Sequence, residues 1–306
     1  MELIKQTLAG LDLGAAQVHL NLAFVPLNDT GEALPGYMLL DEALGRNFAR
    51  VTEVSNEGRV PELAFENASA EKILLVDGDE LVGARQNRIL NLSILVGVGR
   101  KLVIPVSCVE QGRWSYRRRD FGTANRSLFA RARAKNMSRV SESMRSHGER
   151  RSNQSEIWED VADKARFYAT DSATQSMSDV YEQSAKRLAA YRGAFHAEPR
   201  QRGAVVAIDG RVAGVELFDS ARTFSSYLPK LVNSYALDAI ETAGDDERVP
   251  SLKAIRAFLK SIAAAPADSF EALGEGSDIR FSAEGISGGA LAADGRIVHL
   301  AGFAGA

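Results

Sequence analysis

The sequence predicts an α+β fold with a strand-rich, sandwich- or barrel-like N-terminal half, a helical middle, and a C-terminal hairpin and strands that return to the sheet. Three observations lead to this class. Short apolar segments bounded by Gly, Asn or Asp recur up to residue 114, helical periodicity follows within 115–197, and strand patterns return after residue 200. We therefore expect a strand-rich region at 1–114 and a second region at 115–306, packed together as one unit.

The first region is predicted to consist mainly of strands joined by turns. Residues 17–27 carry an apolar side chain at every second position, the period of a half-buried strand. Residues 39–44 predict a short helix that ends at Gly45. Five further strands are predicted at 49–55, 60–66, 72–76, 88–96 and 101–109. Short strands at this spacing are typical of a sandwich or barrel.

The second region is predicted to begin with helices and to end with strands. Helical periodicity indicates helices over 124–144, 157–168 and 177–191, the first interrupted near 146–148. Asp209 and Gly210 predict a hairpin between strands at 204–208 and 212–218. Two helices, at 224–241 with Pro229 in its first turn and at 251–264, precede strands at 279–283, 289–292 and 296–303.

Composition places the chain among globular proteins, and we expect a cytoplasmic location. The 306 residues are 45% hydrophobic and 25% charged, and the longest apolar stretches have only the length of a strand, so neither disorder nor a membrane-spanning helix is expected. The N-terminus lacks the basic and apolar regions of a signal peptide. Cys108 is the single cysteine, which excludes an intrachain disulfide and a multi-cysteine metal site.

Charge is distributed unevenly along the chain. The net charge is −3, yet residues 113–151 hold eleven Arg and one Lys against three acidic residues, a local charge of +9. Aromatic residues among the arginines of 116–121 are compatible with binding of phosphates or single-stranded nucleic acid. The alternative is that the arginines pair with acidic residues of the chain or of a second copy in a homo-oligomer. We favour pairing, because the pI is 5.9 and no nucleic-acid-binding signature occurs.

The densest polar motif lies at 77–88, between two apolar strands. Its chemistry-bearing side chains are Glu80, Arg85, Gln86, Asn87 and Arg88. Arginine and amide side chains together can grip a phosphate or a ribose, and a nearby carboxylate can act as a base or bind a metal ion. The alternative is a charged hairpin turn whose side chains bond to the backbone and to one another, which is common in proteins.

A second motif, at 105–114, contains Cys108, Glu110 and Arg113. On a strand, Cys108 and Glu110 share one face. A catalytic thiol with His299 as a distant base is conceivable, but a small buried hydrophobic side chain is the favoured interpretation of Cys108. A carboxylate that points toward a core needs a partner, and either Arg88 or Arg113 can supply it. Such a pair occurs in active sites and in structural ion pairs alike.

Three other patterns do not support a site. Residues 285–289 match G-x-S-x-G, but Asp294 and His299 follow too closely for the acid and histidine of an α/β-hydrolase. The four histidines have no paired spacing, so no zinc site is predicted. Residues 97–99 lack the third glycine of a dinucleotide fingerprint, so a Rossmann site is not supported.

The segments 40–44, 51–55, 77–88, 104–114, 214–218 and 299–300 carry a resemblance that spans most of the chain. In them the sequence resembles the ARG-and-rhodanese-phosphatase-superfamily-associated protein family. The arginine-rich middle contributes little to the likeness. The family is named for its association with ADP-ribosylglycohydrolases and rhodanese-like phosphatases, which implies a context of NAD and ADP-ribose metabolism and a functional association with such enzymes.

The resemblance also implies which residues carry the function. The family's polar positions correspond here to Gln86, Asn87, Arg88, Glu110 and Arg113, with Glu80, Glu216 and His299 as weaker companions. In a catalytic pocket, Glu110 or Glu80 is the expected general base, or a ligand if Mg²⁺ is present, and Arg88 or Arg113 stabilises phosphate charge. The sequence does not identify a cofactor.

Two functions follow as hypotheses. In the first, the N-terminal half forms a pocket for an ADP-ribose-like or other phosphorylated nucleotide metabolite. In the second, the motif is structural, and the chain is a non-catalytic binding or scaffold protein whose basic helical segment contacts a protein or nucleic-acid partner. No membrane partner is expected, direct nucleic-acid binding is disfavoured, and homo-oligomerisation is left open.

Overall fold

A computed structural model describes residues 1–29, 31, 35–55, 57–116, 118–242 and 247–305. The chain forms two compact units. Met1–Pro35, Ala189–Ala272 and Gly276–Ala306 make up one, called the terminal unit here, and Gly36–Leu188 with Leu273–Glu275 make up the other, called the middle unit. Residue 114 lies inside the middle unit, and the division into 1–114 and 115–306 stays a prediction.

The predicted α+β class is confirmed, and strands from both ends of the chain join one sheet. The helices are α1 Glu2–Ala9, α2 Leu40–Gly45, α3 Ala130–His147, α4 Gln154–Phe167, α5 Met177–Gln183, α6 Ala185–Ala194, α7 Ala221–Glu241 and α8 Leu252–Ala264. The strands are β1 Asp12–Leu13, β2 Gln17–His19, β3 Leu22–Asn28, β4 Tyr37–Leu39, β5 Ala49–Glu53, β6 Glu62–Asn67, β7 Lys72–Leu75, β8 Asp79–Gly83, β9 Arg88–Leu90, β10 Ile94–Val96, β11 Lys101–Cys108, β12 Phe121–Ser127, β13 Gln201–Ile208, β14 Arg211–Phe218, β15 Ala267–Glu271, β16 Ser277–Ala283, β17 Ile286–Ala293 and β18 Arg296–Ala304.

The terminal unit is built on an antiparallel sheet in the order β1-β3-β13-β14-β18-β17-β16-β15, with β2 paired to β3. The hairpin between β13 and β14 turns at Asp209 and Gly210, both with positive φ, as predicted. Helix α8 places Ile255, Phe258 and Ile262 on one face, and this face packs with the sheet and α1 into a single apolar core.

The middle unit contains a three-stranded sheet, β10-β7-β4, and a six-stranded antiparallel sheet, β12-β8-β9-β11-β6-β5. Strand β11 pairs with β6 through Lys101–Pro105 and with β9 through Val106–Cys108. Strands β8 and β9 form a hairpin in which Glu80 lies opposite Ile89 and Leu81 lies opposite Arg88. The loop of that hairpin, residues 84–87, carries Arg85, Gln86 and Asn87 of the polar motif, while Glu80 lies on β8 and Arg88 on β9.

The strand predicted over 17–27 is wrong, because β2 and β3 form a tight hairpin there. His19 pairs with Leu22, so Leu20 and Asn21 make the turn, and Leu20 has φ of +52°. Leucine is an unusual residue for positive φ, which favours Gly or Asn. Asn21 is a turn-type residue, but no glycine follows it and the apolar alternation continues through the turn, so the pattern does not reveal it.

Several predicted boundaries are also wrong. Residues 88–96 split into β9 and β10, which join different sheets, and 121–127 form β12, so the helix predicted from 124 begins only at Ala130. The helix predicted over 177–191 is two helices, α5 and α6. Pro229 lies in the interior of α7 and not in its first turn. The remaining strands and helices of the prediction are present, with ends shifted by a few residues.

Among the described residues, no helix is both long enough and apolar enough to span a bilayer.

Candidate functional site

A buried ion pair between Glu110 and Arg113 lies at the centre of the middle unit's polar residues. Arg113 Nε donates to Glu110 Oε1 at 2.9 Å, and Arg113 Nη2 donates to Oε2 at 2.7 Å, a two-point contact. Glu110 also accepts from the Asn87 backbone N–H at 3.0 Å and from Thr174 Oγ1 at 2.9 Å. Its carboxylate is therefore fully bonded within the protein.

Arg113 uses its remaining N–H groups to hold the 84–87 loop. Nη1 donates to the carbonyls of Ala84 at 2.6 Å and Ser115 at 2.7 Å, and Nη2 reaches the Gly83 carbonyl at 3.2 Å. Nη2 also lies 3.2 Å from Asn87 Oδ1. A guanidinium carries five N–H donors, and each nitrogen of Arg113 already has acceptors inside the protein. Arg113 thus positions the loop.

Thr174 reaches Glu110 because the segment before α5 runs along the end of β11. Gly112 N–H donates to the Thr174 carbonyl at 2.8 Å, and Met177 N–H donates to the Val109 carbonyl at 2.9 Å. The approach is so close that a Cβ on Gly112 would lie 2.9 Å from Thr174 Cα. Glycine at this position permits the contact.

The environment of Glu110 favours its charged form. Burial acts to raise the pKa of this carboxyl, but the hydrogen bonds from Arg113, from the Asn87 backbone and from Thr174 outweigh it, and the pKa is lowered. Glu110 is therefore a carboxylate at neutral pH. A carboxylate whose oxygens are fully engaged in this way is poorly suited to accept a proton from a ligand.

Glu80 is the contrasting carboxyl of the same cluster. It is fully buried, and its Oε1 accepts from Ser178 Oγ at 2.8 Å and from Asn87 Nδ2 at 3.4 Å. Its Oε2 accepts no hydrogen bond from the described residues, and Arg126 Nε is 3.9 Å away. Burial raises the pKa of Glu80 to about 7, aided by the charge of Glu110 and opposed by Arg126, Ser178 and Asn87.

Arg126 connects the buried Glu80 with the surface. Its side chain is 21% exposed, and its Nη1 donates to the Ser178 carbonyl at 2.7 Å. Its Nη2 donates to Glu182, which is 67% exposed, at 3.2 Å. Because the Arg126 guanidinium lies beside a buried carboxyl and also reaches solvent, it can balance the negative charge that this carboxyl gains when it loses its proton.

Gln86 and Arg88 each keep one buried polar atom without a hydrogen-bond partner in the described part of the chain: Gln86 Oε1 and Arg88 Nη2. Gln86 Nε2 donates to the Glu110 carbonyl at 3.0 Å. Arg88 Nε donates to the Val60 carbonyl at 3.1 Å. Arg88 shares the hairpin face of Leu81, and Glu80 lies on the opposite face. The structure thus brings Glu80, Asn87, Glu110 and Arg113 together in one cluster. The Arg88 side chain lies on the opposite face of the β8–β9 hairpin from Glu80.

Two exposed aromatic rings lie beside Arg85. Its Cζ is 5.3 Å from the Trp114 ring centroid and 4.6 Å from that of Tyr116, and Arg88 Cζ is 5.8 Å from Trp114. Trp114 is 44% exposed and Tyr116 is 46% exposed. Large aromatic side chains next to arginines form a surface on which a flat ring can stack. We call Arg85, Trp114 and Tyr116 the aromatic platform.

Cys108 is a core residue, as favoured from the sequence. It is fully buried and lies opposite Arg88 in the β11–β9 register. Its backbone N–H and carbonyl both bond to the side-chain amide of Gln154, each at 2.8 Å. Burial raises the pKa of the thiol, so it is protonated at neutral pH and weakly nucleophilic.

Glu216 and His299 belong to the terminal unit, on β14 and β18, and so to a different unit from Glu110. His299 Nε2 lies 3.6 Å from Glu216 Oε2, and Tyr235 Oη donates to Glu216 Oε1 at 3.1 Å. The His299 ring packs on Phe218 at 4.7 Å between centroids. These residues form a separate buried polar group. Ser287 of the rejected G-x-S-x-G match lies within β17, where no strand-to-helix turn occurs.

The basic segment forms ion pairs within the chain. Arg133 and Asp77 are both buried and lie 3.0 Å apart, and Arg139 lies 3.2 Å from Asp160. Arg113 and Arg126 pair with the glutamates already described. These four arginines pair within the chain, whereas Arg118 of the 116–121 stretch donates to the Val82 carbonyl at 2.7 Å, so internal pairing of that stretch stays a prediction. Arg117 lies outside the described residues.

Thr174, Ser178, Arg126 and the aromatic platform are residues that the sequence did not single out together. Thr174 and Ser178 are separated from Glu110 by more than sixty positions, and hydroxyl residues are too common to signal a site. Tyr116 was noted only as part of the basic segment. The part of the chain that the structure describes contains no group of three or more His, Cys, Asp or Glu placed to hold a metal ion.

A family model described as the ARG and Rhodanese-Phosphatase-superfamily-associated Protein domain, ARPP-1, matches residues 10–303. The chain belongs to the ARPP-1 family. No curated protein and no solved structure matches it. The ARPP-1 match therefore covers both units, including the Glu110–Arg113 pair and the aromatic platform.

The raised pKa of Glu80 predicts that the free energy of unfolding decreases as the pH rises. Below about pH 4.5 Glu80 is protonated in both states. Between 4.5 and about 7 the unfolded chain ionises while the folded ARPP-1 chain keeps the proton, so folding becomes less favourable, and above 7 the loss is complete. The total loss in the free energy of unfolding is roughly 3 kcal/mol. Urea unfolding at several pH values measures it.

Glu80→Gln provides the comparison, because the amide stays neutral. Relative to the natural chain it should gain stability steadily from pH 4.5 to 7. Glu182→Gln removes an exposed partner of Arg126 and serves as the matched control, with no such gain. Parallel stability curves for the natural chain and Glu80→Gln across this range would show that Glu80 titrates normally.

Proposed function

We propose that this ARPP-1 chain binds a phosphorylated, nucleotide-like metabolite of the ADP-ribose or NAD class through its middle unit. The observation that carries the proposal is the aromatic platform, where Trp114 and Tyr116, each nearly half exposed, both lie close to the Arg85 guanidinium. A nucleobase has a flat π-face that stacks on such rings, and arginine binds phosphate in a two-point contact.

Buried polar atoms of the β8–β9 hairpin support the same ligand class. Arg88 Nη2 is a donor and Gln86 Oε1 is an acceptor, and both are buried and lack hydrogen-bond partners among the described residues. Unpaired buried polar groups are costly, and a ligand or water that bonds to them removes the cost. A sugar hydroxyl both donates and accepts, and so it can bond to either atom.

Glu80 is the residue that we propose for proton transfer. Its carboxyl has one oxygen without a hydrogen bond and a pKa of about 7, so both protonation states are populated near neutral pH. Arg126 is placed to stabilise the charged form. Glu110 and Arg113 are assigned a positioning role, since their polar atoms are already used within the protein.

The family supports the metabolic context. ARPP-1 domains are described by an association with ARG and the rhodanese-phosphatase superfamily, and a functional link to ADP-ribosylglycohydrolases and rhodanese-like phosphatases in the cytoplasm fits a ligand of the ADP-ribose class. The alternative of a scaffold that uses its basic segment for a partner has less support. Arg126, Arg133 and Arg139 are engaged in ion pairs within the chain.

Ligand binding is tested by thermal shift and titration calorimetry with ADP-ribose, NAD and ADP, against ribose 5-phosphate and adenosine as partial ligands. A ligand that binds only the folded chain raises its melting temperature. Trp114→Ala should weaken binding of ADP-ribose by about tenfold or more, because one stacking contact is lost. Phe167→Ala removes another exposed aromatic ring and should leave binding unchanged. No stabilisation by any of these nucleotides, or equal binding by Trp114→Ala, would refute the proposal.

Proton transfer is tested by turnover of ADP-ribose or NAD, followed by chromatography of the products. Glu80→Gln should retain ligand binding and lose activity by about a hundredfold or more, the usual contribution of a general acid or base. Glu182→Gln, on the exposed side of Arg126, should keep its rate. Full activity in Glu80→Gln would assign proton transfer elsewhere while leaving the binding proposal intact.

A further inference from the structure

The terminal unit has a groove on its surface, far in sequence from the polar motif. It has a volume of about 360 Å³ and lies between the faces of α1 and α8, closed at one side by the segment around β1. Leu8, Leu11, Leu13, Leu259 and Ala263 form its apolar lining. Volumes of this size are typical of sites for small molecules.

Helical periodicity explains why both polar and apolar residues line the groove. Lys5 and Leu8 are three positions apart on α1. On α8, Leu259 and Lys260 lie three and four positions after Arg256. Residues three and four positions apart share a helix face. Each helix therefore presents leucine toward the groove with a cation beside it.

The cations at the rim lack partners in the described part of the chain. The side chains of Lys5, Arg256 and Lys260 are exposed, and none of them forms a hydrogen bond or an ion pair with the described residues. Asp12 is the single carboxylate of the lining, so the charged residues of the groove carry a net charge of +2. Three unpaired cations around an apolar groove are complementary to a molecule with an apolar body and an anionic end.

We propose that this groove binds a monomeric single-chain fatty carboxylate, with the alkyl chain on the leucine lining and the carboxylate among Lys5, Arg256 and Lys260. The limited volume fits one alkyl chain. A bilayer surface needs no concave site, and it is recognised by helices that lie flat in the interface. The groove lies within the terminal unit, so this proposal is independent of nucleotide binding in the middle unit.

Titration calorimetry with octanoate, decanoate and dodecanoate, each below its micelle concentration, tests the proposal. Each added methylene buries apolar surface, so affinity should rise by up to about fourfold per methylene until the groove is filled. Dodecyltrimethylammonium has the same chain with the opposite charge and should bind at least about tenfold more weakly than dodecanoate. Equal affinity for the two amphiphiles would overturn the proposal.

Variants locate the site. Arg256→Glu should weaken dodecanoate binding about fivefold or more, since it replaces a cation of the rim by an anion. Lys253→Glu changes the charge in the same way at another exposed position of α8 that does not line the groove, and should change affinity less than about twofold. Leu259→Trp places a larger ring in the groove and should abolish binding. Melting curves establish that each variant is folded.

Two results would contradict the assignment. Unchanged dodecanoate binding in Arg256→Glu would show that the carboxylate is not held at this rim, even if Leu259→Trp fails to fold. Sedimentation of the chain with phosphatidylglycerol vesicles, without uptake of monomeric dodecanoate, would identify the basic rim as a membrane-docking surface instead.

Discussion

The structure of the polar motif depends on one buried ion pair. Removing a carboxylate and a guanidinium from water costs several kcal/mol for each ion, and the cost is offset only if both are fully hydrogen-bonded. Glu110 and Arg113 meet this requirement by a two-point contact and by bonds to the 84–87 loop, the Ser115 carbonyl and Thr174. The loop that carries Gln86 and Asn87 is therefore fixed by the same bonds that satisfy the pair.

This pair gives two carboxyl groups of one cluster opposite protonation behaviour. Glu110 accepts four hydrogen bonds and stays charged. Glu80 is buried, one of its carboxyl oxygens accepts no hydrogen bond from the described residues, and the negative charge of Glu110 raises its pKa further. Asn87 contacts both of them, through its backbone to Glu110 and through its amide to Glu80. Divergent pKa values in neighbouring carboxyls are the arrangement by which proteins separate a fixed charge from a proton carrier.

Sequence patterns predicted the α+β class and most elements, because hydrophobic period and turn residues act locally. The Asp209–Gly210 turn was visible for that reason, whereas the Leu20–Asn21 turn has no glycine and lies inside a continuous apolar alternation. The sequence indicated that Glu110 needs an arginine partner, but strand alternation could not distinguish Arg88 from Arg113. The conformation of the chain after β11 places Arg113 against Glu110. Thr174 and Ser178 reach the cluster through tertiary packing, which no local pattern encodes.

The central claim is that the cluster keeps Glu80 protonated up to neutral pH while Glu110 is charged. A pH titration of the side-chain carboxyl carbons by NMR, with glutamate labelled with ¹³C and the Glu80 resonance assigned through Glu80→Gln, tests it directly. We expect a midpoint near pH 7 for Glu80 and a midpoint for Glu110 below that of an exposed glutamate. A Glu80 midpoint near 4.5, the value of an ordinary glutamate, would contradict it.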